Sequence, residues 1–346
     1  MPTRTVQYSW AMKHQELIQI NSNLPVSKYR QIINSVTDAI NDGKLKPGDK
    51  IPSINDICKR WNLSRDTVIN AYNELKSKGI ISSAAGKGYY VETSNIKTTH
   101  NIFVLFDELN SFKEDLYHSF LENLDKNMQV DTYFHHFNRK VFNQLINNSK
   151  GNYTTYVIMP AKFTGTFSQL QNINGRVIIL DQLPDDLNEL YPSVHQNFEK
   201  DTFSALMEGR KLISRYQKFI MVYPGGKEPE GQYKGFLKYC NDTFTPYELI
   251  HDIRGRSIEK GEVYLVVWDR HLVWLVKEAR DKGLKLGKDI GIISYNDTAL
   301  KEVVANGITT ISTDFKKMGE TLANLVKTKA HKNIENPFKM ILRESL

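Results

Sequence analysis

Residues 51–91, IPSINDICKRWNLSRDTVINAYNELKSKGIISSAAGKGYYV, leave this chain little choice of local fold. Pro52 has a fixed φ and no N–H, which suits a helix entry, and Ser53 can cap the free amides. Ile54, Ile57, Cys58 and Trp61 then fall on one helical face. The pattern breaks at Asn62-Leu63, and Ser64 opens a second helix carrying Thr67, Val68, Ala71, Tyr72 and Leu75. Gly79 stops that helix. Ile80-Ile81 and Tyr89-Tyr90-Val91 flank Ala-Ala-Gly-Lys-Gly, which predicts a β-hairpin. Two short helices, a tight turn and a hairpin make a winged helix-turn-helix.

The rest of the chain has a different texture. At 346 residues, two or three compact units are expected. Residues 1–96 hold 13 Lys and Arg against 8 Asp and Glu, whereas the remainder holds 33 against 31. A basic small unit on a near-neutral large one suits phosphate binding through the first, although most surface lysines merely solvate. Cys58 and Cys240 are too few for a disulfide framework and too separated for a metal site. No 18-residue apolar run occurs, and the first 22 residues lack the apolar core of a signal peptide, so a cytoplasmic protein with no membrane partner is expected.

In order, residues 1–22 form a polar N-terminal extension, 23–92 the winged helix, 93–100 a polar linker and 101–346 a larger domain. Pro25 to Asn41 is a helix with Tyr29, Ile32, Ile33, Val36 and Ile40 on one face. Past the linker, apolar runs beginning at Ile102, Gln129, Tyr153, Val177, Phe219, Tyr247, Val263 and Ile290 alternate with amphipathic helices. That alternation implies parallel sheets covered on both faces, in two units.

Gly43-Lys-Leu-Lys-Pro-Gly-Asp-Lys-Ile-Pro-Ser, Leu63-Ser-Arg-Asp-Thr-Val, Ala71-Tyr-Asn-Glu-Leu and Gly86-Lys-Gly-Tyr-Tyr-Val resemble the GntR family of bacterial regulators. The resemblance puts Arg65 and Thr67 on a recognition helix, with Ser64 beside them, and Lys87 and Gly88 at the wing tip. Ser53 and Asn55 join this DNA-facing set, Asn55 standing where many members carry an Arg. Val177-Ile-Ile-Leu-Asp-Gln, Val194-His-Gln-Asn-Phe-Glu-Lys-Asp, Gln232-Tyr-Lys-Gly-Phe, Trp268-Asp269 and the segment from Gly283 to Asp297 resemble the effector domain of the lactose-repressor (LacI) type, itself similar to periplasmic sugar-binding proteins. Gln232 replaces an Arg of that pattern and Gly287 a Pro. The combination is similar to the arabinose-repressor branch. It implies an α/β fold: a winged helix-turn-helix followed by a two-lobed, doubly wound, periplasmic-binding-protein-like domain.

Such sheets take ligands beyond the carboxyl ends of their strands. Asp107, Asp181, Asp269 and Asn296-Asp297 each follow a strand, so they share one expected cleft. Carboxylates accept bonds from neighbouring hydroxyls, while an aromatic such as Phe112 or Trp268 packs on a sugar's C–H face. Gln232 completes the ligand set of Asp107, Phe112, Asp181, Gln232, Trp268, Asp269 and Asn296. An Asp after a strand is as often a helix cap. Lobe crossings are expected near Tyr216, between Tyr295 and Thr310, and near Lys327.

Other patterns carry less. Pro224-Gly225-Gly226-Lys227 lacks phosphate-loop spacing and reads as a turn. His135-His136 are adjacent rather than at metal spacing and are expected at the surface or half-buried. No hydrolase or metalloprotease motif occurs, and neither metal nor cofactor is expected. The expectation is a transcriptional regulator, in the sense of a repressor, with double-stranded operator DNA carrying an inverted repeat, a monosaccharide effector and a homodimeric state. The rival is an enzyme behind the same reader, as in pyridoxal-phosphate aminotransferase-like regulators, which need a longer chain than the roughly 250 residues available. A secreted binding protein does not suit the DNA-reading segment.

Overall fold

A computed structural model describes residues 17–21, 27–84, 86–93, 100–150, 152–173 and 175–346. Most of the N-terminal extension and most of the linker therefore lie outside the described residues.

The reader begins with α1 (Lys28–Asn41), whose N-cap Ser27 accepts from the Arg30 amide. Strand β1 (Lys50–Ile51) leads to α2 (Ile54–Trp61), and α3 (Arg65–Ser77) follows after Asn62 takes a left-handed conformation. Strands β2 (Ile81–Ala84) and β3 (Gly88–Val91) form the wing, and β1 pairs antiparallel with β3. Ile32, Val36, Ile57, Val68, Tyr72 and Leu75 make its core. Ile18 and Ile20 join that core, tied to α1 by reciprocal Asn21–Gln31 hydrogen bonds.

The larger domain has two sheets of six strands each. The first lobe contains β4 (His100–Phe106), α4 (Ser111–Glu122), β5 (Met128–Phe134), α5 (Arg139–Ser149), β6 (Thr155–Ile158), α6 (Phe167–Leu170), β7 (Arg176–Asp181) and β8 (Ser193–His195). The chain then enters the second lobe through α7 (Phe198–Glu208) and α8 (Arg210–Ile213). Next come β9 (Lys218–Val222), α9 (Glu230–Thr243), β10 (Tyr247–Ile250), β11 (Glu262–Val266) and α10 (Asp269–Asp281). They are followed by β12 (Gly291–Tyr295), α11 (Ala299–Val303) and β13 (Thr309–Thr313). Helix α12 (Phe315–Thr328) and β14 (Asn333–Glu335) return to the first lobe, and β15 (Phe338–Ile341) ends in the second.

Strand order is β14-β8-β7-β6-β4-β5 in the first lobe and β10-β9-β11-β12-β13-β15 in the second. All pairings are parallel except that of β13 with β15. Alternate side chains of each strand feed opposite faces. Ile102, Val104 and Phe106 of β4 pack with α4 and α12, whereas Phe103 and Leu105 pack with α5. In the second lobe, Phe219 and Met221 meet α7 and α9, while Ile220 and Val222 meet α10.

The crossings differ from the sequence expectation. Among the described residues the chain passes between lobes at 195–198, 313–315 and 335–338. The first comes some twenty residues before Tyr216, because Ala205 and Leu206 of α7 bury against Phe219 and Phe236 of the second lobe. The other two lie beyond Thr310 and Lys327, because α12 and β14 complete the first lobe.

Glycine makes two helix contacts close. A β-carbon on Gly319 would fall 2.8 Å from the Phe120 nitrogen and from Ser119 Cβ, and closer still to the Leu116 carbonyl. One on Gly235 would lie 2.8 Å from Thr202 Cβ and closer to the Glu199 carbonyl. So α12 rides on α4, and α9 on α7, nearly backbone to backbone.

Candidate functional site

In the reader, sequence dictates the helix entries. Ser53 Oγ accepts from the Asp56 amide at 3.2 Å and the Asp56 carboxylate accepts from the Ser53 amide at 3.1 Å, a closed capping box. Ser64 Oγ caps α3 by accepting from the Thr67 amide and lies 2.7 Å from Thr67 Oγ1. Tyr72 of α3 is buried and donates to the Pro52 carbonyl at 2.6 Å, fixing the angle between the two helices. Arg65 therefore stands exposed on the first turn of α3, with Asn55, Ser64 and Lys87 also exposed. Arg65 Nη1 donates to Asn55 Oδ1 at 2.6 Å, so Asn55 holds the guanidinium in place. Lys87 occupies the tip of the wing beside Gly88, whose φ of 112° only glycine adopts without strain. The hydroxyl of Ser53, by contrast, is committed to its own helix cap and to the Asp56 carboxylate at 2.6 Å.

In the larger domain, strand ends from both lobes surround a 560 Å³ cavity. Asp107, Phe112 and Asp181 line it from the first lobe, and Gln232, Trp268, Asp269 and Asn296 from the second. Sequence reasoning thus assembled seven residues that the fold brings to one wall-to-wall cleft. Asp107 and Lys113 form a buried ion pair, and Asp107 also accepts from the Glu108 amide at 2.6 Å. Burial pulls the Lys113 ammonium down, yet Asp107 and Asp181 more than offset it and hold its pKa above the ordinary value. Asp181, 7% exposed, accepts from Gln196 Nε2. Burial pushes its carboxyl up despite the nearby Lys113. Asp181 also has φ of 74° and Asn296 φ of 60°, strained turns that aim strand-end side chains inward.

The second wall is built differently. Trp268 Nε1 donates to Glu228 Oε1 at 2.7 Å, and the Arg270 guanidinium lies 3.8 Å from the Trp268 ring centroid. Burial raises the Glu228 carboxyl although the indole bond opposes it. Lys301 donates to the carbonyls of Tyr295 and Asn296 and pairs with Asp269 at 2.9 Å. Burial nonetheless lowers its pKa. The Asp269 side chain is 66% exposed, so it sits at the mouth, committed to Lys301. Asp297 turns away from the cavity and forms a two-pronged pair with Arg343 at 2.7 and 2.9 Å.

Several cavity residues escaped the sequence reading: Glu108, Lys113, Phe137, Gln196, Lys227, Glu228, Arg270 and Lys301. Lys227, in the turn after β9, pairs with Glu108 and lies 5.2 Å from the Phe137 ring, bridging the lobes. Lys162 bridges them again, donating at 3.0 Å to the carbonyls of Gly226 and Glu228. His135 is a further correction: it is fully buried, with Nε2 3.0 Å from the Met159 carbonyl oxygen and rings of Phe142 and Phe163 around it. Among the described residues no group of three or more potential metal ligands occurs, and no helix is long and apolar enough to cross a membrane.

Asp297 supplies a pH test. Burial would raise its carboxyl, but the Arg343 and Thr310 hydrogen bonds overcome this and hold it below the ordinary value. A depressed pKa contributes stability above the unfolded value and loses it as pH falls through the folded one. Asp297→Asn is expected to cost about 1.5–3 kcal/mol at pH 7, a gap that narrows below about pH 4. Urea unfolding at both pH values reads it. An unchanged gap contradicts the assignment.

Comparison with known proteins finds relatives for both parts of the chain. Residues 28–91 match the profile of bacterial regulatory proteins, gntR family, and residues 262–346 that of the periplasmic binding protein-like domain. The HTH-type transcriptional repressor YtrA of Bacillus subtilis (strain 168) is 37% identical over 83 residues, 24% of this chain and 63% of that protein. The arabinose metabolism transcriptional repressor of Geobacillus stearothermophilus is 22% identical over 340 residues, covering 86% of this chain and 90% of that one. A solved structure of the lactose repressor bound to the anti-inducer ONPF in its induced state superposes with a TM-score of 0.60. It is 16% identical and covers 71% of this chain and 99% of that chain, a likeness of fold. These relatives are named as repressors.

Proposed function

From a chain that joins a gntR-family reader to a periplasmic-binding-protein-like, two-lobed body, the architecture of a GntR/LacI-type transcriptional regulator, we propose a repressor whose operator binding is set by a small sugar held between the lobes. One observation carries this reading: the 560 Å³ cavity takes its polar side chains from both lobes at once. A ligand that contacts both favours the closed arrangement, and only such differential affinity shifts an equilibrium. The volume falls in the range of small-molecule sites. Asp107, Asp181 and Gln232 accept hydroxyls while Phe112 offers an aromatic face; the Trp268 ring is already stacked on His271 and lies 3.8 Å from the Arg270 guanidinium. The name of the arabinose-linked relative, which matches along most of the chain, supports a monosaccharide.

The DNA partner is an inverted repeat read by two copies of the reader, since one winged helix covers only a half-site. Val273, Leu300 and Val303 are at least half exposed, on α10 and α11, whose starts the Asp269–Lys301 pair joins. Exposed apolar side chains on two neighbouring helices support pairing of two sensor domains in a homodimer. The operator is first selected from random duplexes with the purified chain, then titrated with sugars while DNA anisotropy is followed. A chain that selects no duplex, or whose complex ignores every sugar while the cleft stays empty by calorimetry, refutes the reading. Asp181→Ala is expected to lose about 1.5–3 kcal/mol of sugar affinity with operator affinity unchanged.

A further inference from the structure

The hydrogen bonds still open in the cleft limit what it can hold. Every cation lining it already has a negative or π partner. Lys113 is matched by Asp107, Lys227 by Glu108, Lys301 by Asp269 and two carbonyls, and Arg270 lies over Trp268. Among the buried side-chain atoms lining the cavity, those left without a partner are all acceptors. Gln196 Oε1, Gln232 Oε1 and Asn296 Oδ1 are buried oxygens with no partner, all on side chains that line the cavity. The orientation of the Gln196 amide follows from its Nε2 donating to Asp181, which leaves the oxygen as the open atom. Asp181 and Glu228 add carboxylates whose hydrogen-bond partners are the Gln196 amide and the Trp268 indole.

We infer that the cleft takes an uncharged, hydroxyl-rich ligand and rejects phosphorylated or carboxylated sugars. A hydroxyl brings a donor to each open oxygen and still accepts a bond in return. A phosphate or carboxylate brings only acceptors, so it leaves those oxygens unpaired and sets like charge against Asp181 and Glu228. Lys113 does not rescue an anion, because Asp107 and Asp181 already surround it. This inference rests on the reading of the cleft as a sugar site and narrows it by charge.

The test is calorimetry on the full chain with two sets of probes. The neutral set is L-arabinose, D-xylose, D-ribose, D-glucose, D-galactose and L-fucose. The anionic set is D-ribose 5-phosphate, D-glucose 6-phosphate, D-glucuronate and D-galacturonate. At least one neutral sugar is expected to bind, with its anionic counterpart weaker by about 100-fold or more. Asp181→Asn is expected to weaken the neutral sugar about 10-fold while narrowing that gap, because it removes negative charge beside Lys113. A merely structural role for Asp181 would leave the ratio unchanged, which counts against the inference. An anionic sugar that binds as tightly as its neutral counterpart, or alone, overturns the inference and leaves a sugar-derived effector standing. A complete lack of binding in both sets overturns the underlying sugar reading and this inference with it.

Discussion

An Arg65→Ala variant is expected to lose about 1–3 kcal/mol of operator affinity per half-site, and base preference with it. Across a dimer on an inverted repeat the loss is doubled, to roughly 2–6 kcal/mol, a factor large enough to abolish repression. The reasoning is geometric. The guanidinium lies on the first turn of α3, held by Asn55, where a recognition helix presents its N-terminal residues to base edges. Asn55→Ala frees that guanidinium, and its expected effect is a smaller loss in the same direction. Lys87→Ala should instead weaken all duplexes alike and lower the salt dependence by about one phosphate contact. Anisotropy titrations on the selected operator and on a scrambled duplex, at two salt concentrations, separate these outcomes. Equal selectivity in Arg65→Ala and wild type would remove this residue from the base-reading set.

Gly319→Val is expected to cost at least about 3 kcal/mol, the upper range for overpacking. The new atoms would meet the carbonyl of Leu116 and the amide of Phe120, and backbone in the middle of α4 cannot rotate aside as a side chain does. The effect reaches beyond one helix pair, since α12 begins immediately after the crossing at 313–315. Thermal unfolding should show the first lobe failing while the reader, with its own core, still unfolds near its wild-type temperature. Gly319→Ala separates size from backbone freedom, because one methyl already meets the close atoms and should cost about 1–3 kcal/mol. A Gly319→Val protein as stable as wild type would show that the two helices separate without penalty.

The reader was legible almost residue by residue because its turns demand particular chemistry. Ser53, Ser64, Gly79 and Gly88 each sit where a cap or a positive φ restricts the choice. Strands such as β4 and β12 were legible because burial on both faces leaves continuous apolar runs. What sequence could not assign was which sheet a helix covers. The apolar stripe of α7 says that it is buried, but only the fold shows Leu206 beside Phe236. Short strands β14 and β15 escaped for a related reason, having three or four residues and partial exposure. The acidic and aromatic members of the cleft followed from strand ends, whereas Lys113, Lys227 and Lys301 look like surface charges in a sequence. Lys113 had a signal in its place one helix start after Asp107, and Gln196 lay inside the Val194–Asp201 segment that was already singled out.

The three crossings have a consequence for how the chain is made. Neither lobe is a continuous stretch: β14 pairs with β8, yet some 140 residues, most of them in the second lobe, separate them in sequence. A ribosome that has released residues 100–195 has released five strands of the first sheet without the helix that covers Leu116 and Phe120. That apolar face waits, open, until α12 emerges, by which time most of the second lobe has been synthesised. The reader is already complete by Val91 and can fold well before either lobe. During synthesis this protein therefore acquires its winged helix first and its two-lobed body last, so chains cut off before residue 335 would carry a folded winged helix joined to an unfinished first lobe.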